Sequence, residues 1–416
     1  MKLTHLPLLA LLGFLLCTCG PAQTETKEEM TDDEMRAHAD ELAQKYLITD
    51  GHVDLPYRLK VKNFKLDKEY LGIPIQTDAG DFDYVRAKEG GLDAPFMSIY
   101  IPSGLQKEPG ESPALADTLI NMIKGIADAH PDKFRITYTP DEMITNFKAG
   151  IVSLPMGMEN GSPIEDKIER VQEYKDKGIS YITLTHAKDN LICDSSYDTT
   201  ATHGGLSDFG IDVVKEMNRV GIMVDISHVS DSTFWQVVEM TDVPMIASHS
   251  SVRYFTPDFE RNMNDEMITR LGEEGGVIQI NFGSTFLDGE LRSRQDSLRG
   301  IFMERLAAKD MMYGDEGTDE MQEAFEKEFP TLYSDLEMVA DHIDRVVKLA
   351  GINHVGFGSD FDGVGDSLPT GLKDVSDFPN LIYTLLKRGY SDEDIEKICS
   401  GNVIRVWRAV EAAAAK

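Results

Sequence analysis

Thiol chemistry has little to work with in this chain, because only 4 cysteines are spread over 416 residues. Cys17 and Cys19 follow a short apolar run, while Cys193 and Cys399 lie far apart. That distribution excludes a thiolate-bound structural zinc cluster and leaves two readings for the distant pair, a disulfide or two buried free thiols. Positive charge is scarce as well. Against 72 Asp and Glu stand 41 Lys and Arg, a formal net charge of −31, so a phosphate-rich partner would be repelled and nucleic-acid binding is excluded. The apolar run from Leu6 to Leu16 behind Lys2 is too short to span a bilayer; it has the charged and hydrophobic regions of a secretory signal instead.

Residues 1–19 are therefore expected to form an export signal, and residues 20–45 an acidic linker, with the run ETKEEMTDDE, opening into a first helix. A cysteine directly after a short apolar run resembles the bacterial lipoprotein signal, in which that residue is lipidated after cleavage. Cys17 or Cys19 would fill this place, so the expected location is periplasmic or membrane-anchored in a bacterium. Beyond the linker the composition is globular, with 41% hydrophobic residues overall, enough for a sizeable core.

Eight short apolar runs have strand length: YLITD (46–50), PFMSIYI (95–101), IVSLPM (151–156), SYITLT (180–185), GIMVDI (221–226), VPMIAS (243–248), GVIQIN (276–281) and HVGFGS (354–359). Most are apolar on both alternating faces, as strands covered on both sides must be. Between them run helical patterns at 112–130, 163–178, 208–221 and 336–351, the last three ending in glycine. The alternation predicts a (β/α)8 TIM-type barrel over 46–416, with its active site at the carboxyl ends of the strands. A doubly wound open sheet is the competing architecture. One stretch, about 284–334, has no strand pattern and reads as a helical excursion between the seventh and eighth strands.

Polar residues collect where the strands end. His52 and Asp54 follow the first, Glu159 the third, His186 the fourth, His228 the fifth, His249 the sixth and Asp360 the eighth. Each alone has an ordinary explanation, as a hydrogen-bonded core histidine, a solvated acid or a helix cap. In a barrel, however, all seven would meet at one mouth. Imidazoles with carboxylates suit Zn(II), and a bridging carboxylate can hold two metals about 3.5–4 Å apart. Such a pair polarises a carbonyl and makes hydroxide from water near neutral pH, which is hydrolytic chemistry.

The motifs DGHVDLP, GMENG, YITLTHAKDN, GLSDFGIDVVKEMNRVGIMVDISHVS, SHSS and VGFGSDFDGV resemble, in this order, those of the membrane dipeptidase (renal dipeptidase) family of binuclear zinc peptidases. The resemblance implies a metallo-dependent hydrolase barrel that cleaves dipeptides, with a D-residue tolerated at the second position. It also implies roles. His52 and Asp54 would bind one Zn(II), His228 and His249 the other, and Glu159 together with a water or hydroxide would bridge them. His186 would face the peptide carbonyl oxygen, Asp360 would move protons, and Arg261, in ERNMND, would grip the terminal carboxylate, with Arg253 as its rival. Tyr57 would form a lip of the pocket. Gly283, in NFGS, is expected to leave the pocket roomy, and a homodimer is an expected assembly.

Two further readings fit the same residues. One is another hydrolysis on the same metal pair, of a lactone, β-lactam or phosphotriester; the other is a surface binding protein that has lost turnover. Dependence on a free substrate carboxylate separates the first from a dipeptidase, and metal content separates the second.

Overall fold

The computed structural model describes residues 1, 30–60 and 75–414. The expected signal with Cys17 and Cys19, and the linker up to residue 29, lie outside the described residues. From residue 30 onward the chain enters a helix, Asp32–Lys45, whose start is fixed by a reciprocal cap between Thr31 and Glu34. That helix buries Ala39, Leu42 and Ala43 against the barrel.

Ten strands occur among the described residues: β1 (Ile48–Val53), β2 (Leu92–Tyr100), β3 (Phe134–Ile136), β4 (Val152–Leu154), β5 (Met156–Glu159), β6 (Ile179–Thr183), β7 (Met223–Asp225), β8 (Ile246–Ala247), β9 (Val277–Ile280) and β10 (Val355–Phe357). Eight of them pair in parallel in the order β1-β2-β5-β6-β7-β8-β9-β10. A bridge between Val53 and Phe361 joins the last to the first. It is made by the Asp54 amide donating to Phe361 O at 2.8 Å and the Asp360 amide donating to His52 O at 3.1 Å. The sheet therefore closes as a (β/α)8 barrel, which removes its edges and rules out the open sheet.

The run at 151–156, expected as one strand, is two. Pro155 has no amide to give a ladder, and the chain breaks there. Val152–Leu154 pairs outside the barrel with Phe134–Ile136, a strand the apolar pattern did not mark. Met156–Glu159 turns into the barrel beside β2, where the carbonyl of Pro155 accepts from the Met97 amide at 2.8 Å. A second difference concerns the helix expected over 163–178, which begins only at Glu169 after a short 3-10 turn at Ser162–Ile164.

The excursion after β9 holds three helices, Ser284–Leu287, Gly289–Ala307 and Thr318–Glu328. It has its own small core of Phe302, Leu306 and Phe325. His342 in helix Leu336–Ala350 pins it down: Nε2 donates to Leu287 O at 2.9 Å while Nδ1 accepts from the Val252 amide at 3.0 Å. Cys193 and Cys399 are both free and buried, so the disulfide reading falls. None of the described helices is long and apolar enough to cross a membrane.

Candidate metal centre

The barrel interior below the mouth is polar and buried, with Asp50, Tyr181, Thr183, Asp225, Ser248 and Gln279 all excluded from solvent. Such groups need partners, and their hydrogen bonds orient the residues above them. Tyr181 donates its hydroxyl hydrogen to Gly51 O at 3.0 Å. The phenol oxygen, 2.8 Å from His52 Nδ1, must then accept from that nitrogen, so His52 keeps its hydrogen on Nδ1 and aims Nε2 at the mouth. Ser248 does the same for His249. Its hydroxyl donates to Asp225 Oδ2 at 2.6 Å and its oxygen lies 2.7 Å from His249 Nδ1, which leaves His249 Nε2 as the outward atom.

Around Glu159, at the end of β5, these atoms converge. His52 Nε2 lies 3.3 Å from Oε2, while His228 Nε2, His249 Nε2 and His186 Nε2 lie 3.0, 3.3 and 3.5 Å from Oε1. Asp54 Oδ2 is 3.6 Å from His52 Nε2, and Asp360 shares a group with His52 and Asp54 whose donor atoms all lie within 4.8 Å of one another. Every one of the seven strand-end residues is thus in one cluster. Two of them, His228 and Asp360, hold left-handed backbone at φ 69° and 64°, strain of the kind kept at functional sites.

The electrostatics are those of a cation site. Burial pushes the Glu159 carboxyl up, but the imidazoles packed around it, His52 foremost, outweigh it and hold the group well below the ordinary carboxylate range. Burial keeps His228 and His249 well below the usual imidazole value, helped by Arg261 beside the first and His52 beside the second. At His52 burial acts downward too, yet Tyr181, Glu159 and Asp54 raise it well above that value. A proton there meets a need that a metal would also meet. His52 Nε2, Asp54 Oδ1, His186 Nδ1 and His228 Nδ1 are buried without a hydrogen-bond partner, and orphaned buried polar atoms cost about 1–3 kcal/mol each. Oxygen and imidazole donors around a shared carboxylate therefore fit divalent cations of the zinc type.

Asp360 differs from the other acids. Its burial and the nearby Asp54 push it up to about 7, and Asn281 Nδ2 donates to its Oδ2 at 2.8 Å. Gly363 packs against the same pair, since a Cβ there would clash with both Asp360 Oδ1 and Asp54 Oδ2. Arg261 is 3% exposed and donates to Ser250 Oγ at 2.8 Å and to His249 O at 2.9 Å, leaving Nε without a partner. Arg253 is instead committed elsewhere, to both oxygens of Asp231 at 2.8 and 2.5 Å and to Asn262 O at 2.7 Å. Tyr57 stands edge-on to Tyr100 at 4.7 Å, and Tyr100 stands edge-on to His186 at 4.7 Å. Gly283 opens no extra room, because Phe286 and Val364 each come within 2.9 Å of where its Cβ would lie.

Tyr181, Tyr100, Ser248, Asp225, Asn281 and Gly363 belong to this site and were not singled out by the sequence pattern. The first two sit inside apolar runs that read as core. Asn281 closes such a run, and only its position after a strand could have marked it.

Comparison with known proteins agrees with the geometry. Residues 36–416 match the model of the membrane dipeptidase family, peptidase family M19. The chain is 32% identical over 373 residues to dipeptidase tcpJ of Claviceps purpurea, covering 88% of this chain and 77% of that protein. It is 32% identical over 407 residues to dipeptidase verJ of Clonostachys rogersoniana, covering 94% and 91%. Among solved structures, the probable dipeptidase PvdM from Pseudomonas aeruginosa superposes with a TM-score of 0.76 at 27% identity, over 92% of this chain and 100% of that one. The chain belongs to the membrane dipeptidase family and is a metallodipeptidase, a hydrolase acting on the peptide bond of dipeptides.

Proposed function

We propose that the protein is an exported, zinc-dependent dipeptidase working with two cations. The observation that carries this reading is the meeting of four imidazoles and two further carboxylates around Glu159, with buried donor atoms left unpaired. His52 and Asp54 would hold one cation, His228 and His249 the second, and Glu159 both. Bound there, the cations supply positive charge that polarises the scissile carbonyl and brings a water toward ionisation near neutral pH.

The chain's own groups do the rest. Asp360, poised at about 7, takes a proton from the attacking water and returns it to the leaving amine, the two duties of one group near its own pKa. His186, kept neutral mainly by burial, donates a hydrogen bond to the carbonyl oxygen as charge develops there. Arg261 pairs with the terminal carboxylate through the fork geometry that suits it. Tyr57 and Tyr100 form an apolar lip beside His186. The assigned groups hold the carbonyl and the carboxylate rather than the second side chain, so residues of either hand are included at that position. The apolar signal and the cysteine after it support export and a lipid anchor at Cys17 or Cys19.

Metal-quantified protein assayed on L-L, L-D and amidated dipeptides tests this. Expected are about two zinc per chain, cleavage that chelator abolishes, and loss of most activity on amidation. Undiminished cleavage of amidated substrates would overturn the assignment of Arg261 and favour a different hydrolysis.

A further inference from the structure

Beside Arg261 the pocket has an aromatic wall. The Arg261 guanidinium lies 5.6 Å from the centre of Phe286, Phe286 lies 5.6 Å from Phe259, and Tyr197 lies between Phe259 at 6.1 Å and His228 at 5.9 Å. With a substrate carboxylate on Arg261, the side chain of the same residue emerges one bond away, against these rings. The wall carries a second cation. Arg292, from the first turn of helix Gly289–Ala307, lays its guanidinium 3.5 Å over the ring of Phe259.

Among the described residues its capacity is largely unused. Its ion-pair partner is Asp296, one turn on, at 3.6 Å and 62% exposed, and such a pair is heavily screened. Arg253, by comparison, is saturated. In a protein of net charge −31, a local cation stands out for an anionic side chain.

We propose that Arg292 is a specificity-determining residue and that the enzyme favours dipeptides whose C-terminal residue has an acidic side chain. The carboxylate of an aspartyl or glutamyl residue displaces solvent from the guanidinium, while the methylenes lie on the rings. Aliphatic side chains find the same apolar wall without the ion pair, so they are cleaved less efficiently. The excursion thereby supplies substrate selection that the barrel itself does not encode.

This inference rests on the dipeptidase reading, and one experiment separates the two. Zinc-loaded wild type and Arg292→Gln are assayed on L-Ala-L-Glu, L-Ala-L-Gln and L-Ala-L-Leu. Wild type should prefer the glutamyl substrate in kcat/KM; the variant should lose about tenfold on it, through KM, and stay within about twofold on the other two. Equal wild-type efficiency on Glu and Gln substrates would overturn the inference, as would an equal loss on all three, which marks Arg292 as a mere staple of the helix to Phe259. Cleavage of L-Ala-L-Leu in either case leaves the dipeptidase reading standing, whereas no cleavage of any of the three overturns both.

Discussion

The Nε2 atoms of His228 and His249 face each other at 2.9 Å. Because Ser248 fixes the hydrogen of His249 on Nδ1, a lone pair points into that gap, with Glu159 Oε1 3.3 Å away. Removing one of the two imidazoles should cost a cation. His228→Ala is expected to lower bound zinc from about two to about one per chain, measured by elemental analysis, and to cut turnover by more than about 100-fold. Full zinc content in the variant would refute its place as a ligand.

Tyr181→Phe removes the phenol that accepts from His52 Nδ1 and donates to Gly51 O. Partners behind a ligating histidine typically govern about 10–100-fold of metal affinity. The variant should fold, keep its circular dichroism and bind zinc weaker by about that factor in a competition titration with a chromophoric chelator. An unchanged affinity would mean that His52 is held by its packing alone.

Asp360→Asn should keep the zinc and lose turnover by about 100-fold or more, since proton transfer goes and the metal donors stay. Gly363→Ala should behave differently. Its new methyl would strike both Asp54 and Asp360, so metal content and turnover should fall together, and the two variants are told apart by zinc analysis alone.

His342 predicts an acid-sensitive fold. Burial, only partly offset by the bond to Leu287 O, pushes it down to about 4, and a proton on Nδ1 would break the bond from the Val252 amide. With a folded value below the unfolded 6.5, the folded state binds fewer protons; its stability is complete above pH 6.5 and declines as pH falls toward 4, by about 3 kcal/mol in total. Denaturant melts at several pH values should show that slope. In His342→Gln, which cannot titrate there, the slope should flatten by the same amount.

Much of this is legible in the amino-acid sequence. Alternating apolar runs disclosed the barrel, and the polar residues after them disclosed the mouth, because strand ends in a closed sheet must converge. Pro155 is not legible as a break, since apolar character runs across it from Val152 to Met156 while the ladder does not. Tyr181 and Tyr100 were hidden for a related reason: an aromatic in a strand reads as core, and only the closed barrel shows which hydroxyl or edge meets a histidine. Choosing between Arg253 and Arg261, eight positions apart, required seeing which one Asp231 already holds.

The barrel's closing joint is narrow, one bridge between Val53 and Phe361, and each lip of it bears an acid, Asp54 on one side and Asp360 on the other. Like charges on opposite lips push a joint apart, and that push is part of what drives Asp360 up to about 7. Positive ions held beside them would convert the repulsion into a common attraction. Loading the catalyst and sealing the cylinder would then be a single thermodynamic event, in which the hydrolytically competent molecule is also the more tightly shut one.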